Sequence, residues 1–223
     1  MVDPELDRSL AELGFVQNVE IDGDRVRVAI RLPTFWCSPN FAYLMIGDAH
    51  AALTELPGVR HAEVQLVDHF AGEKVSEAVA AGLSFQDAFP DVTDGELVEL
   101  RRKFRVKAFI VRQDPVLRAA LEALGDEALR LPLGDASAPE WADGAEWAEY
   151  MGRRRDLRLD EGPGALAFTD PRGVPIRPEE LATLRRAART VRISLQSNTE
   201  FCTGLLAARY GGGAEEWQRK EVA

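Results

Sequence analysis

The sequence predicts an α+β protein: a small helix–strand–strand–helix–strand unit at the N-terminus, followed by a mostly helical extension with one short hairpin. Three observations carry that expectation. Val26, Val28, Ile30 and Leu32 alternate with Arg25, Arg27, Ala29 and Arg31, the period-two pattern of a half-buried strand. Asp22-Gly23 just before them is a hairpin turn signal. Beyond this unit the alternation gives way to Ala-rich and Arg-rich stretches with helical spacing.

The elements follow in order. Asp3-Pro4 is a helix start, because Asp caps free amides and Pro suits the first helical position. Leu6, Leu10 and Leu13 continue it at helical spacing, and Gly14 ends it. A strand over Phe15–Ile21 carries Phe15, Val19 and Ile21 on one parity. After the second strand, Ser38 can cap and Pro39 can open a helix whose buried stripe is Phe41, Leu44, Met45, Ala49, Ala52, Leu53 and Leu56. Pro57-Gly58 stops it, and His61–Asp68 is a third strand with Val64 and Leu66 inward.

The extension reads as helix at Lys74–Gly82, then the Phe85/Phe89 pair before Pro90. Thr93 and Glu96 form a capping box for a helix running through Phe104 towards Val111, and Asp114-Pro115 opens another that closes at Gly125. Leu131–Gly144 reads as a loop or linker, with Trp141, Trp147 and Tyr150 recurring around a helix beyond it. Ala165–Ile176 reads as a hairpin turning at Asp170–Gly173. Pro178–Arg189 is helical, and Asn198 caps a last helix through Tyr210, ended by Gly211–Gly213. The resulting organisation is a domain over residues 1–72, an extension over 73–213 and a polar tail over 214–223.

Composition narrows the function. A net charge of -10 argues against sequence-independent nucleic-acid binding, which needs cations facing phosphate. No apolar run reaches the roughly 20 residues that span a bilayer. MVDPELDRSL lacks the basic and apolar regions of a signal peptide, so a cytoplasmic location is expected. Two distant cysteines make no disulfide framework, and no zinc-ribbon spacing occurs.

Those two cysteines are the chemistry on offer. Cys37, in TFWCSPNFAYL, stands at or just before a helix start, where free amides and the macrodipole favour a thiolate. Cys202, four residues past the expected cap Asn198, falls in another first turn. The alternative is that both are small buried hydrophobes. His50, His61 and His69 are the further soft groups, with structural roles as the alternative for each. Arg153–Arg155 and the arginines of Arg185–Arg192 read as solvated helix faces, and the Trp141/Trp147 and Phe85/Phe89 groups as core. Gly211–Gly213 lacks the strand–loop–helix context of a phosphate loop.

The stretch from Asp3 to Val67 resembles the iron–sulfur cluster assembly (FSCA) domain family of metal–sulfur cluster biosynthetic proteins. The residues that carry the resemblance are Asp3-Pro4-Glu5, Leu13-Gly14-Phe15-Val16, the Val19–Gly23 hairpin, Thr34 ahead of Cys37, and the Leu56–Val59 turn. The family places Cys directly before Pro; here Ser38 stands between Cys37 and Pro39. The C-terminal Cys pairs of phenylacetate-oxygenase maturation members do not occur. The resemblance implies a non-catalytic factor that assembles or delivers an iron–sulfur cluster or iron, held transiently, to a client metalloprotein. The client class it implies is an iron-dependent oxygenase, such as a monooxygenase component. It implies Cys37 as the functional thiol, with Asp3 and Glu5 as the acidic motif and Thr34 as neighbour.

One thiolate cannot hold a cluster, because clusters generally need about four ligands. Cys37 therefore shares them with Cys202, with a client or across a homodimer, and His69 at the end of the third strand is a third candidate ligand. Two other readings compete. One is a thiol enzyme with Cys37 as nucleophile and His69 or His50 as base. The other is an interaction or chaperone module in which no metal takes part.

Overall fold

The computed structural model describes residues 1–91, 94–136 and 140–211, with only the backbone of 94–96. The expected Thr93/Glu96 capping box and the 214–223 tail lie outside the described residues. The fold is α+β, with strands gathered near the N-terminus and helices after them. The chain divides into two compact units. One comprises Met1–Arg101 and the chain from Leu195 on; the other is Arg102–Ser194.

In the first unit, β1 (Val2–Asp3) and β2 (Arg8–Ser9) form a minimal antiparallel pair. This segment replaces the expected first helix. Asp7 adopts φ 52°, a left-handed conformation that breaks an α-helix, and consecutive turns carry the chain to Gly14. Leu6, Leu10 and Leu13 still enter the core, because the turns present them to the same side that a helix would.

β3 (Val16–Asp22) and β4 (Arg25–Arg31) form the expected hairpin, and β5 (His61–Val67) adds parallel to β4. Val26, Val28 and Ile30 are buried as the alternation requires. The register of β3 shifts between Val16 and Asn18, so Gln17 is the extra residue of a bulge. The residues opposite Ile30, Val28 and Val26 are therefore Val16, Val19 and Ile21, not the Phe15, Val19, Ile21 set of simple parity. β3 is an edge strand, and Ile21 is 73% exposed there because both helices that follow pack over β5.

Those helices are α1 (Pro39–Thr54) and α2 (Gly72–Ala80). Leu44, Met45, Ala49 and Leu53 of the predicted stripe are buried, joined by Ala42 and Ile46, whereas Leu56 lies past the helix end and is exposed. Ser38 occupies the N-cap with Pro39 following, but its side chain makes no capping bond. α2 starts hard against β5: a Cβ on Gly72 would lie 2.4 Å from the Leu66 carbonyl oxygen. α3 (Phe85–Ala88) is held by a Ser84/Asp87 capping box, and Phe85 stacks on Phe89.

α4 (Asp94–Leu124) corrects a second expectation: Asp114-Pro115 does not open a helix but lies inside one. Proline there forfeits one backbone bond, a local cost that the continuous buried face through Phe109, Val116, Leu117 and Ala120 outweighs. Residues 131–136 and 140–143 are loop, but Leu133 and Ala136 are core residues and Pro132 bridges Leu166, so residues 131–136 are not a free linker. α5 (Gly144–Asp156) is capped by Asp143. The expected Ala165–Ile176 hairpin reduces to one bridge, Thr169 with Pro175, around the Asp170–Gly173 turn.

α6 (Leu181–Tyr210) corrects a third: it is one helix, so Asn198 is interior and caps nothing. In the second unit Arg154 is only 1% exposed, against the expectation of a solvated arginine face. Its guanidinium donates to the Ala167 and Asp160 carbonyls and to the Tyr150 hydroxyl, which satisfies most of a charge that would otherwise be costly to bury.

Candidate functional site

The site is built where the loop after β4 meets the residues after β5. Thr34, Phe35, Trp36 and Cys37 form the loop that leads into α1. Cys37 is half-buried, and its Sγ lies 3.2 Å from Thr34 Oγ1, a hydrogen bond in which either group can donate. Cys37 precedes the N-cap Ser38 and so stands just outside α1, the position read from the sequence.

His69 holds the loop from the other side. Its Nδ1 accepts from the Ala71 backbone N–H, so the ring proton sits on Nε2, which donates to the Cys37 carbonyl at 2.7 Å. Burial lowers the His69 pKa; the bond to Cys37 opposes the shift and the Arg209 charge reinforces it. His69 is thus a neutral imidazole with both nitrogens engaged. Its proton is directed at the Cys37 backbone carbonyl and not at Sγ. His50 lies in the fourth turn of α1, about 16 Å along the axis from Pro39, which places it away from the Cys37 end of the helix. His61 is exposed at the start of β5.

Three aromatic rings surround the mouth of the loop. Phe35 and Trp36 meet edge to face, and Phe70 lies 5.8 Å from Trp36 and 6.4 Å from Phe35. Trp36 is 74% exposed, an unusual exposure for so large an apolar side chain.

Asp3 and Glu5 approach from the N-terminal turns. Asp3 is buried, and its Oδ1 accepts from the Glu5 and Leu6 backbone N–H groups at 2.8 Å each. It therefore caps a turn, as the sequence suggested, though no helix follows. Burial pushes its pKa up to about 6, the two amide bonds working against the shift and the Glu5 charge with it.

Cys202 lies in the interior of α6, so the first-turn argument for its thiol fails. Burial, followed by the charges of Glu5, Asp3 and Cys37, pushes its pKa up to about 11. Cys37 and Cys202 nevertheless pack against the same core cluster, and Asn198, one turn earlier on α6, donates to Glu5 Oε1 at 3.4 Å. The fold thus gathers Asp3, Glu5, Cys37 and Cys202 from opposite ends of the chain. Among the described residues no group of three or more His, Cys, Asp or Glu side chains is arranged to hold a metal ion.

The family described as "Iron-sulfur cluster assembly protein" matches residues 1–66. Residues 1–66 are an FSCA-like domain. A curated protein named "Iron-sulfur cluster carrier protein", from Deinococcus radiodurans, is 36% identical over 63 residues. That match covers 28% of this chain and 17% of the relative, so the chain corresponds to about a sixth of the relative's length. No solved structure matches the chain. No described helix is long and apolar enough to cross a membrane.

The residues that sequence reasoning missed are Asp68, Arg209 and Tyr210. Arg209 pairs with Asp68 at 2.8 Å and the Tyr210 hydroxyl donates to the same carboxylate. Their separation of 142 positions left no local pattern to find them by.

Proposed function

We propose that this protein is a non-catalytic maturation factor that carries an iron–sulfur cluster, or iron, as transient cargo and hands it to a client metalloprotein through Cys37. The observation that carries the reading is the Thr34–Cys37 contact inside the stretch that matches the assembly family. Cys37 is the thiol offered at a loop mouth, and the exposed Phe35, Trp36 and Phe70 rings give the client a surface to dock on beside it.

The cargo is shared in this account. Cys37 and Cys202 supply at most two thiolates, fewer than the about four ligands a cluster takes, and His69 is committed to the Cys37 backbone. The remaining ligands come from the client or from a second copy of the chain. The resemblance to long family members favours an iron-dependent oxygenase component as the client, in the cytoplasm.

The test is anaerobic transfer. Protein reconstituted with ferrous iron and sulfide is mixed with an apo acceptor, and cluster appearance in the acceptor is followed for the wild type, Cys37→Ala and Cys202→Ala. Loss of transfer in Cys37→Ala, with a smaller effect in Cys202→Ala, is expected. Equal transfer by wild type and Cys37→Ala would overturn the proposal.

A further inference from the structure

The last turn of α6 reaches the residue that joins β5 to the site. Arg209 Nη2 pairs with Asp68 Oδ2 at 2.8 Å and donates to the Asp68 carbonyl at 3.2 Å, while the Tyr210 hydroxyl donates to the same carboxylate. The Arg209 guanidinium also sits 4.9 Å from the centre of the Tyr210 ring and 6.0 Å from that of Phe35. Arg31 of β4 also lies over the Tyr210 ring, 4.1 Å from its centre. Five contacts from other segments thus converge on a two-residue helix end.

Asp68 adopts φ 53°, a left-handed conformation uncommon outside glycine and one that Asp tolerates better than most residues. The next two residues grip the thiol loop: His69 Nε2 donates to the Cys37 carbonyl and the Phe70 N–H donates to the Phe35 carbonyl at 3.1 Å. A continuous path therefore runs from Arg209 and Tyr210, through Asp68, to the backbone on both sides of Trp36. Both ends of the latch lie outside residues 1–66, the stretch that the assembly family matches.

We propose that Arg209 and Tyr210 are positioning residues: they latch Asp68 in its left-handed conformation and so set the Cys37 loop. The proposal rests on the reading of Cys37 as the working thiol. The latch acts on loop geometry and not on the cargo, so its consequence is measurable in the metal-free full chain. Releasing Asp68 frees the two donors that fix the loop, and the half-buried Cys37 becomes easier to reach.

The experiment measures the rate at which iodoacetamide alkylates each cysteine, resolved by peptide mass spectrometry, at one fixed pH. Arg209→Ala and Asp68→Asn are each expected to accelerate Cys37 by about fivefold, with the double variant no faster than either single, the signature of one coupled interaction. Arg209→Lys, which keeps a cation for Asp68, is expected to restore most of the wild-type rate. Cys202, on the same helix two turns earlier, is expected to change less than about twofold. If Arg209→Ala does not fold, Tyr210→Phe removes only the second donor and is expected to accelerate Cys37 in the same direction. Wild-type Cys37 rates in the single variants, effects that multiply in the double, or parallel acceleration of Cys202 would each overturn the latch. None of these outcomes depends on cluster transfer, so failure of the latch and failure of the carrier reading are separate results.

Discussion

The two thiols of this chain sit in opposite kinds of surroundings. Cys37 is on a loop, held through its backbone by His69 and touched at its sulfur by Thr34, with three exposed rings around it. Cys202 is on the wall of a long helix, packed against the core and facing two carboxylates that disfavour its thiolate. Both were read from the sequence as first-turn cysteines, and only one stands near a helix start. The difference teaches that a cysteine's chemistry follows the groups that face it more than its place in a pattern. Cys37 is built to be reached, and Cys202 to stay protonated until something draws its proton away.

The largest expected effect contrasts the two directly. With its pKa moved from 9.0 to about 11, Cys202 has about 100-fold less thiolate at pH 8 than an ordinary cysteine, and its alkylation should lag by a similar factor. Iodoacetamide labelling of the native protein at pH 8 checks this; comparable rates at both positions would erase the contrast.

A second variant perturbs one side only. Gly72→Ala drives a methyl group into the Leu66 carbonyl at 2.4 Å, just beyond the His69–Ala71 segment that holds Cys37. A destabilisation of about 3 kcal/mol is expected from such overpacking. Thermal melting reads the loss, and labelling should show Cys37 changing more than Cys202.

Asp3 gives a pH-dependent test on the carboxylate side. Its folded pKa of about 6 lies above the ordinary 3.8, so the folded state binds the proton more tightly than the unfolded chain. The ionised carboxylate therefore costs stability in full above about pH 6, and the cost fades as pH falls from 6 towards 3.8. Asp3→Asn keeps an oxygen for the two amides and removes the charge. It should stabilise the protein by about 1–3 kcal/mol at pH 8 and by almost nothing at pH 4, as read by denaturant unfolding at both pH values. The same substitution should lower the Cys202 pKa, since Asp3 is one of the charges that raise it.

The smallest effect concerns the tie between α6 and the N-terminal turns. Asn198→Ala removes a long, partly exposed hydrogen bond to Glu5. A loss of about 0.5 kcal/mol is expected, with Cys37 labelling unchanged.

What the sequence made legible follows from range. The alternation of β4, the Asp22-Gly23 turn and the start of α1 at Pro39 are local signals, and the structure carries all three. The spacing of Leu6, Leu10 and Leu13 told which side of the chain is buried but not that turns do the presenting, since Asp7 breaks the helix through a backbone angle that composition does not announce. Pro115 and Asn198 looked like helix starts because both residue types favour such positions; packing along α4 and α6 overrode them. At the candidate site, Thr34, Cys37, Asp3 and Glu5 were named from two separate pieces of the family resemblance, Asp3-Pro4-Glu5 and Thr34 ahead of Cys37. Asp68, Arg209 and Tyr210 were not, because their meaning lies in a contact between segments far apart in the chain.

The central claim is that Cys37 is the thiol that holds the cargo. The most direct measurement is iron and acid-labile sulfide retained per chain after anaerobic reconstitution and desalting, for wild type and Cys37→Ala. The account predicts that wild type retains both and that Cys37→Ala retains neither, while melting at the same temperature as wild type. Equal retention by a folded Cys37→Ala would contradict it.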